Sequence, residues 1–332
     1  MQKGTIERKG DIASTNTELL TDDIKSKLRE VFLEPETRCG TYISKESKEA
    51  WKIRLDMLEF FIDFCNRHQL RWCMACGSLL GTIRHKGLIP WDEDLDLAMP
   101  RKDFDRLLEL MPQEIEYPYY LQDYREKDYF QVIAKLRHTG TSEIDLWYAQ
   151  HHWIMNMGEH LDIQPIDGIP DGKLQSLLYR QLMKNLFKLY WGCMDKPPFG
   201  VNIWLRVLRK LKIYRLVSRK KLYKLISKIA NIYSVDNCER CGLMPYRWGL
   251  WKKYEWPSHC FKEYIDSNFE YLSVKVPAAY DEILTLTYGD WHKMVKGAAI
   301  HDGTLYVNTK KSYREVLPEL YAQYGYKKED FK

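Results

Sequence analysis

In "GSLLGTIRHKGLIPWDEDLDLAMP", Gly77 to Pro100, a Gly-Ser pair precedes three aspartates, Asp92, Asp94 and Asp96, spaced two residues apart. Side chains two apart in a strand leave the same face about 6.5 to 7 Å from each other, so Asp94 and Asp96 can converge on one hard cation of Mg²⁺ size. Leu95, Leu97 and Met99 make the opposite face apolar, which argues against a merely solvated strand end. An EF-hand loop is excluded by its own geometry. Its sixth position must be Gly and is Leu97, and its twelfth must be Glu and is Asp103. The Gly77-Ser78 turn supplies a second feature. A strand that stops at a glycine before a helix aims backbone N–H groups and a positive dipole at an anion, and Ser78 adds a hydroxyl. Phosphate beside magnesium satisfies both halves of the pattern.

These residues need elements to hold them. "EAWKIRLDMLEFFIDFCNRHQL" places Trp51, Leu55, Leu58, Ile62 and Cys65 at helical spacing. Leu70 to Cys76 reads as a buried strand ending at Gly77, followed by a helix capped by Ser78. "EDLDLAM" is a second strand, stopped by Pro100, and "RKDFDRLLELM" is helical. "FQVIAKLRHTGT" and "EIDLWYA" read as strands, and "EHLDIQPIDGIPDG" as a strand running into a Pro/Gly loop in which Asp167 is a turn residue. Mixed strands and helices predict an α/β or α+β core over about residues 50 to 172. The expected organisation is an arm over 1–48, loose but for a helix near Asp22 to Leu33, a catalytic core over 49–172, a basic helical region over 173–244, and a mixed part over 245–332 that completes the core.

The 332 residues, 45% apolar and 14% aromatic, have globular composition. No secretory h-region opens the sequence, and no run of about 18 apolar residues occurs in it. Eight cysteines are too sparse for a disulfide scaffold, and several sit in apolar patterns as free thiols. The expectation is a cytoplasmic chain, peripheral on the inner face of the cytoplasmic membrane.

The sequence resembles the LicD family, which includes bacterial phosphorylcholine transferases and fukutin-type ribitol-phosphate transferases within the nucleotidyltransferase fold superfamily. The signature is Gly77 to Asp96, and "AKLRHTGT", "GEHLDIQPIDGIPDG" and "VPAAYDEILTLTYGDW" match later blocks in order. The resemblance implies a nucleotidyltransferase-like mixed sheet flanked by helices. It further implies that Asp94 and Asp96 bind Mg²⁺, with Mn²⁺ as a substitute, and that Asp162 is the third carboxylate, metal ligand or base. Asp92 aligns with a family aspartate and is expected just behind the ligands. A CDP-alcohol donor would lose its phospho-alcohol group to a hydroxyl of a glycan or its lipid-linked precursor. Gly77, Ser78, Arg84, Lys135, Arg137 and His301 are the expected substrate contacts, although "KGAAIHDG" departs from the family's histidine-rich ending. Trp147, Tyr148 and Trp153 are candidates for an aromatic wall around a choline head.

Residues 173–235 hold fifteen Lys/Arg and one acid, Asp195, which suits an anionic membrane surface. Nucleic acid is a weaker reading of this charge, since no recognition motif accompanies it. Cys238 and Cys241, with His259 or Cys260, have a spacing compatible with zinc. The rival functions are a nucleotidyltransferase that releases pyrophosphate from an NTP and a non-catalytic membrane-associated scaffold.

Overall fold

The computed structural model describes residues 19–92, 94–150, 153–194, 217–243, 254–295 and 305–323, with isolated positions between 206 and 212. Helices and strands alternate in an α/β arrangement. In chain order they are α1 (Asp22–Glu30), β1 (Glu36–Arg38), β2 (Thr41–Ile43), α2 (Lys45–His68), β3 (Cys73–Met74), α3 (Cys76–His85), β4 (Asp96–Pro100) and α4 (Arg101–Glu114). Next come β5 (Tyr119–Gln122), β6 (Ala134–His138), β7 (Ser142–Asp145), α5 (Leu146–Gln150), β8 (Glu159–Ile169), α6 (Lys173–Gly192) and α7 (Arg219–Ala230). The last are β9 (Arg240–Gly242), β10 (Glu255–Pro257), β11 (Tyr264–Phe269), β12 (Leu272–Pro277), α8 (Tyr280–Tyr288), β13 (Leu305–Asn308) and α9 (Tyr313–Ala322).

The central sheet is organised by β8. Its first half lies between β6, antiparallel, and β4, parallel, while its last three residues pair with β9. β3 borders β4, and β5 borders β6. Alternation along β8 sorts its side chains between two faces. Arg54 of α2 reaches Glu159 and Arg101 of α4 reaches Asp167, both odd positions, so these helices cover the face that carries Leu161 and Ile163. His160, Asp162 and Gln164 therefore point to the other face.

Several local differences from the sequence pattern have physical causes. Residues 20–43 are packed rather than loose: Phe32 and Ile43 are buried, and Arg38 pairs with Glu270 of the β11–β12 hairpin. β3 is only two residues long because the chain bends at Cys76, whose φ is 48°. The "EIDLWYA" strand stops at Asp145, which accepts a hydrogen bond from the Trp147 N–H at 2.8 Å and starts a helix instead. Asp167 is no turn residue. It lies inside β8, fully buried, held by Arg101 through two bonds of 2.6 and 2.8 Å.

Gly158 shows how tightly β6 and β8 meet. A Cβ there would stand 2.1 Å from the His138 carbonyl oxygen, a backbone atom that cannot rotate away. Gly158→Ala is expected to cost about 1–3 kcal/mol by overpacking, read as a lower midpoint in thermal denaturation.

Candidate active site

One row of residues crosses the sheet. Lys135 on β6 pairs in register with Asp162 on β8, which pairs in register with Asp96 on β4. In-register neighbours lie about 5 Å apart and project to the same face. The row continues into the N-terminus of α3, where the Ala75 N–H donates to the Asp96 carbonyl at 3.0 Å. Two carboxylates and an ammonium are thus brought together beside a helix N-terminus.

All three charges are largely withdrawn from water, with exposures of 7–8%. Lys135 Nζ lies 2.7 Å from Asp162 Oδ1 and donates to His160 Nε2, also at 2.7 Å. The other ring nitrogen, His160 Nδ1, lies 2.5 Å from Glu143 Oε2. Burial first, then Lys135 and Arg137, hold His160 below the ordinary histidine range against the pull of Glu143. Burial works against the Asp162 carboxylate, yet Lys135 and His160 more than offset it and keep its pKa below the ordinary value. Asp96 is held from the other side by Gln164, whose amide donates to Oδ1 at 2.6 Å.

Ser78 is not the cap of α3. Ala75 occupies the N-cap, and Ser78, in the first turn, accepts from the Asp96 N–H at 2.8 Å and approaches the Asp94 carbonyl at 3.5 Å. Its hydroxyl clamps the helix to the aspartate segment. Gly77 lets a carboxylate come close, since a Cβ there would stand 2.2 Å from Asp92 Oδ2. The positive end of α3 thus already has a negative oxygen against it, as its dipole favours. Asp94 lies just before β4, half-buried, and its charge reaches Arg54.

Arg137 shares the face of Lys135. It is anchored by donating to Gln122 Oε1 at 2.9 Å and to the Gly158 carbonyl at 2.6 Å. Neither basic residue is a solvated strand charge. Arg84 lies at the far end of α3 from Gly77 and donates to the Trp291 and Lys293 carbonyls, at 3.0 and 3.4 Å. His301 falls outside the described residues. Trp153 is buried in a second apolar cluster with Phe130, while Trp147 is 39% exposed, and half-buried Tyr148 meets both tryptophans, with ring centroids 5.5 Å from Trp147 and 6.4 Å from Trp153. Burial pushes the Tyr148 phenol up, and the charges of Arg137 and Asp162 act on it too, which places this ring beside the polar row.

Residues 69–184 match the family model described as LicD/FKTN/FKRP, nucleotidyltransferase domain. The chain carries a LicD-family domain. The lipopolysaccharide cholinephosphotransferase LicD of Haemophilus influenzae is 27% identical over 259 residues, covering 74% of this chain and 91% of that protein. An uncharacterized protein of Rickettsia prowazekii is 33% identical over 51 residues, 15% of this chain and 19% of its own length.

Within the LicD domain, the oxygen-only donor set of Asp94, Asp96 and Asp162 suits a hard divalent cation, and the strand register makes two of the three neighbours. Each of those two now rests on a protein partner, Gln164 or Lys135. Among the described residues, the group with three mixed ligand atoms within 4.8 Å of one another is His259, Cys260 and Glu282. That group includes neither Cys238 nor Cys241, and none of the eight cysteines is in a disulfide. A buried apolar cavity of about 20 Å³ beneath α3, lined by Cys76, Leu79 and Tyr288 among others, is too small for a nucleotide.

Sequence reasoning missed His160 and Gln164, although they alternate with Leu161 and Ile163 as Asp94 and Asp96 do with their neighbours. It also missed Tyr288, whose phenol is raised by burial and lies near enough to Asp96 and Asp92 to feel both. Behind the row, Arg54 donates to Glu159 Oε2 at 2.8 Å and to Glu143 Oε1 at 3.4 Å. Burial raises Glu159, while His160 and Arg54 pull Glu143 below its ordinary value despite burial.

His85, at the end of α3, is pushed down to about 4 by burial, with Arg84 and Arg38 adding to the shift. Its folded pKa is below its unfolded value near 6.5, so the unfolded chain binds the proton more readily between those values. Stability contributed by neutral His85 is full above about pH 6.5 and is lost as pH falls toward about 4. His85→Gln is expected to flatten that part of the pH–stability curve, checked by denaturant titration at several pH values.

Proposed function

We propose that this chain is a Mg²⁺-dependent transferase that moves a phospho-alcohol group, phosphocholine or a close analogue, from a CDP-activated donor to a glycan hydroxyl. The acceptor is a cell-surface glycan or its lipid-linked precursor, and CMP is released. The observation that carries this reading is the in-register row of Lys135, Asp162 and Asp96 beside the N-terminus of α3. The similarity to a lipopolysaccharide cholinephosphotransferase supports a phosphocholine donor and a glycan acceptor. It also supports the coarser reading as a transferase.

Asp94, Asp96 and Asp162 would hold the cation, which when bound neutralises charge on the diphosphate and on the leaving CMP. Asp162, kept ionised by Lys135 and His160, is suited to accept the proton of the acceptor hydroxyl. That oxygen attacks the distal phosphorus in line, and the bond from this phosphorus to CMP breaks. Arg137, fixed by Gln122 and Gly158, holds positive charge at the same face. Trp147 and Tyr148 offer π faces to a quaternary ammonium, which cannot donate hydrogen bonds. No described helix is long and apolar enough to cross a membrane, which is compatible with a peripheral protein on the cytoplasmic side.

Thermal shift with CDP-alcohols, NTPs and nucleotide-sugars, each with and without Mg²⁺, tests the donor. A Mg²⁺-dependent rise with one CDP-alcohol is expected. A response to NTPs alone would assign a nucleotidyltransferase, and silence throughout would favour the scaffold.

A further inference from the structure

α6 is apolar on two opposite faces. Ser176, Tyr179, Met183, Phe187 and Tyr190 form its buried face. Leu174, Leu177, Leu178 and Leu182 lie at i, i+3, i+4 and i+8 and stand in solvent with exposures of 70, 64, 61 and 46%. A helix that only packed on a core would carry polar residues there. Four adjacent solvated leucines are a contiguous apolar patch of the kind that marks an interaction surface.

The surroundings of this patch identify what it meets. Lys173 and Lys188 flank it on α6. α7 packs alongside and exposes Lys220, Lys221, Lys224 and Lys228 together with Leu225, which is 45% exposed. No acidic residue occurs in 173–194 or in 217–235. Acidic residues would be needed to pair these lysines across an interface between two copies of this surface, so self-association brings like charges together. Exposed leucines and lysines on two adjacent helices that carry no acid of their own fit an anionic phospholipid bilayer, where the leucines enter the acyl boundary and the lysines meet lipid phosphates.

We propose that the α6–α7 face docks the protein on anionic phospholipid, with Leu174, Leu177, Leu178 and Leu182 inserted at the membrane surface. The docking rests on the proposed lipid-linked acceptor only for its purpose, since such an acceptor presents its glycan at that surface.

Co-sedimentation of the full chain with phosphatidylglycerol/phosphatidylcholine vesicles, against pure phosphatidylcholine vesicles, tests it. The wild type is expected to pellet with the anionic vesicles, less so at high salt, and to stay in solution with the neutral ones. Leu177→Glu/Leu178→Glu and, separately, Lys220→Gln/Lys221→Gln/Lys224→Gln should each lower the vesicle-bound fraction at least ~tenfold. Both variants should keep the wild-type thermal shift with CDP-choline and Mg²⁺. The lysine variant keeps the test intact if the glutamates disturb folding. Wild-type protein that ignores anionic vesicles, or variants that bind them equally well, would overturn the proposal. A dimer that the leucine variant splits without changing vesicle binding would overturn it in favour of a second copy. Vesicle binding without any donor response would leave the docking surface standing and remove the transferase reading.

Discussion

Asp96→Asn should release CMP from a CDP-alcohol at least ~10³-fold more slowly than wild type while unfolding at nearly the same temperature. The two halves of this expectation have separate causes. Asn keeps an oxygen that can accept the Gln164 amide, now bound to Asp96 Oδ1 at 2.6 Å, so the packing of β4 against β8 survives. The anionic charge is lost from the row proposed to face the reacting phosphates, and loss of a carboxylate that would hold the cation is expected to remove several kcal/mol, about 10³-fold or more in rate. Asp162→Asn is the companion variant. It leaves Lys135 facing a neutral amide, so it is expected to lose activity to a similar extent and some stability as well. A coupled measurement of CMP release and melting temperature separates the effects.

Arg54→Met should give the largest loss of stability. Arg54 is 3% exposed and donates to two acids, Glu143 and Glu159, that are themselves buried. Removing it leaves two carboxyl groups sharing a dry space with no cation between them, and breaking a buried pair in this way costs about 3–5 kcal/mol. The melting temperature should fall on the order of 10 °C. Glu143 also orients His160, which contacts both Lys135 and Asp162, so transfer should weaken as well. Arg54→Met combined with Glu159→Gln should recover part of the stability, because the second change removes one of the stranded charges. Strict additivity of the two single effects in chemical denaturation would show that Arg54 and Glu159 act independently and would contradict this account.

The alternation of aspartates with apolar residues over 94–99 makes the β4 part of the site legible from the sequence alone, because a half-polar strand writes its two faces directly into the order of its residues. The same period along "HLDIQ" carries His160 and Gln164, yet a single histidine and a glutamine draw less attention than paired acids. Asp167 reads as a turn for a concrete reason: Pro165, Asp167 and Gly168 are turn residue types, and the Arg101 that satisfies Asp167 inside the strand lies 66 positions away. Arg54, Glu143 and Glu159 give no local signal, since their bonds join positions 89 and 105 apart. Ser78 does stand beside the aspartates as its position in the chain suggests, but with a different partner. The helix begins three residues earlier than the Gly-Ser pattern indicates, and the hydroxyl serves the backbone of β4. The outward leucines of α6 are silent in the sequence because a helix apolar on both sides reads as an ordinary core helix.

The most direct test of the central claim is ³¹P NMR of wild-type protein incubated with CDP-choline, Mg²⁺ and a lipopolysaccharide acceptor. Growth of a CMP resonance together with a new phosphodiester on the glycan is expected, and neither product with Asp96→Asn. Undiminished turnover by Asp96→Asn would contradict the assignment of the site. An intact CDP-choline signal with wild type, alongside pyrophosphate release when NTP is supplied, would contradict phospho-alcohol transfer itself.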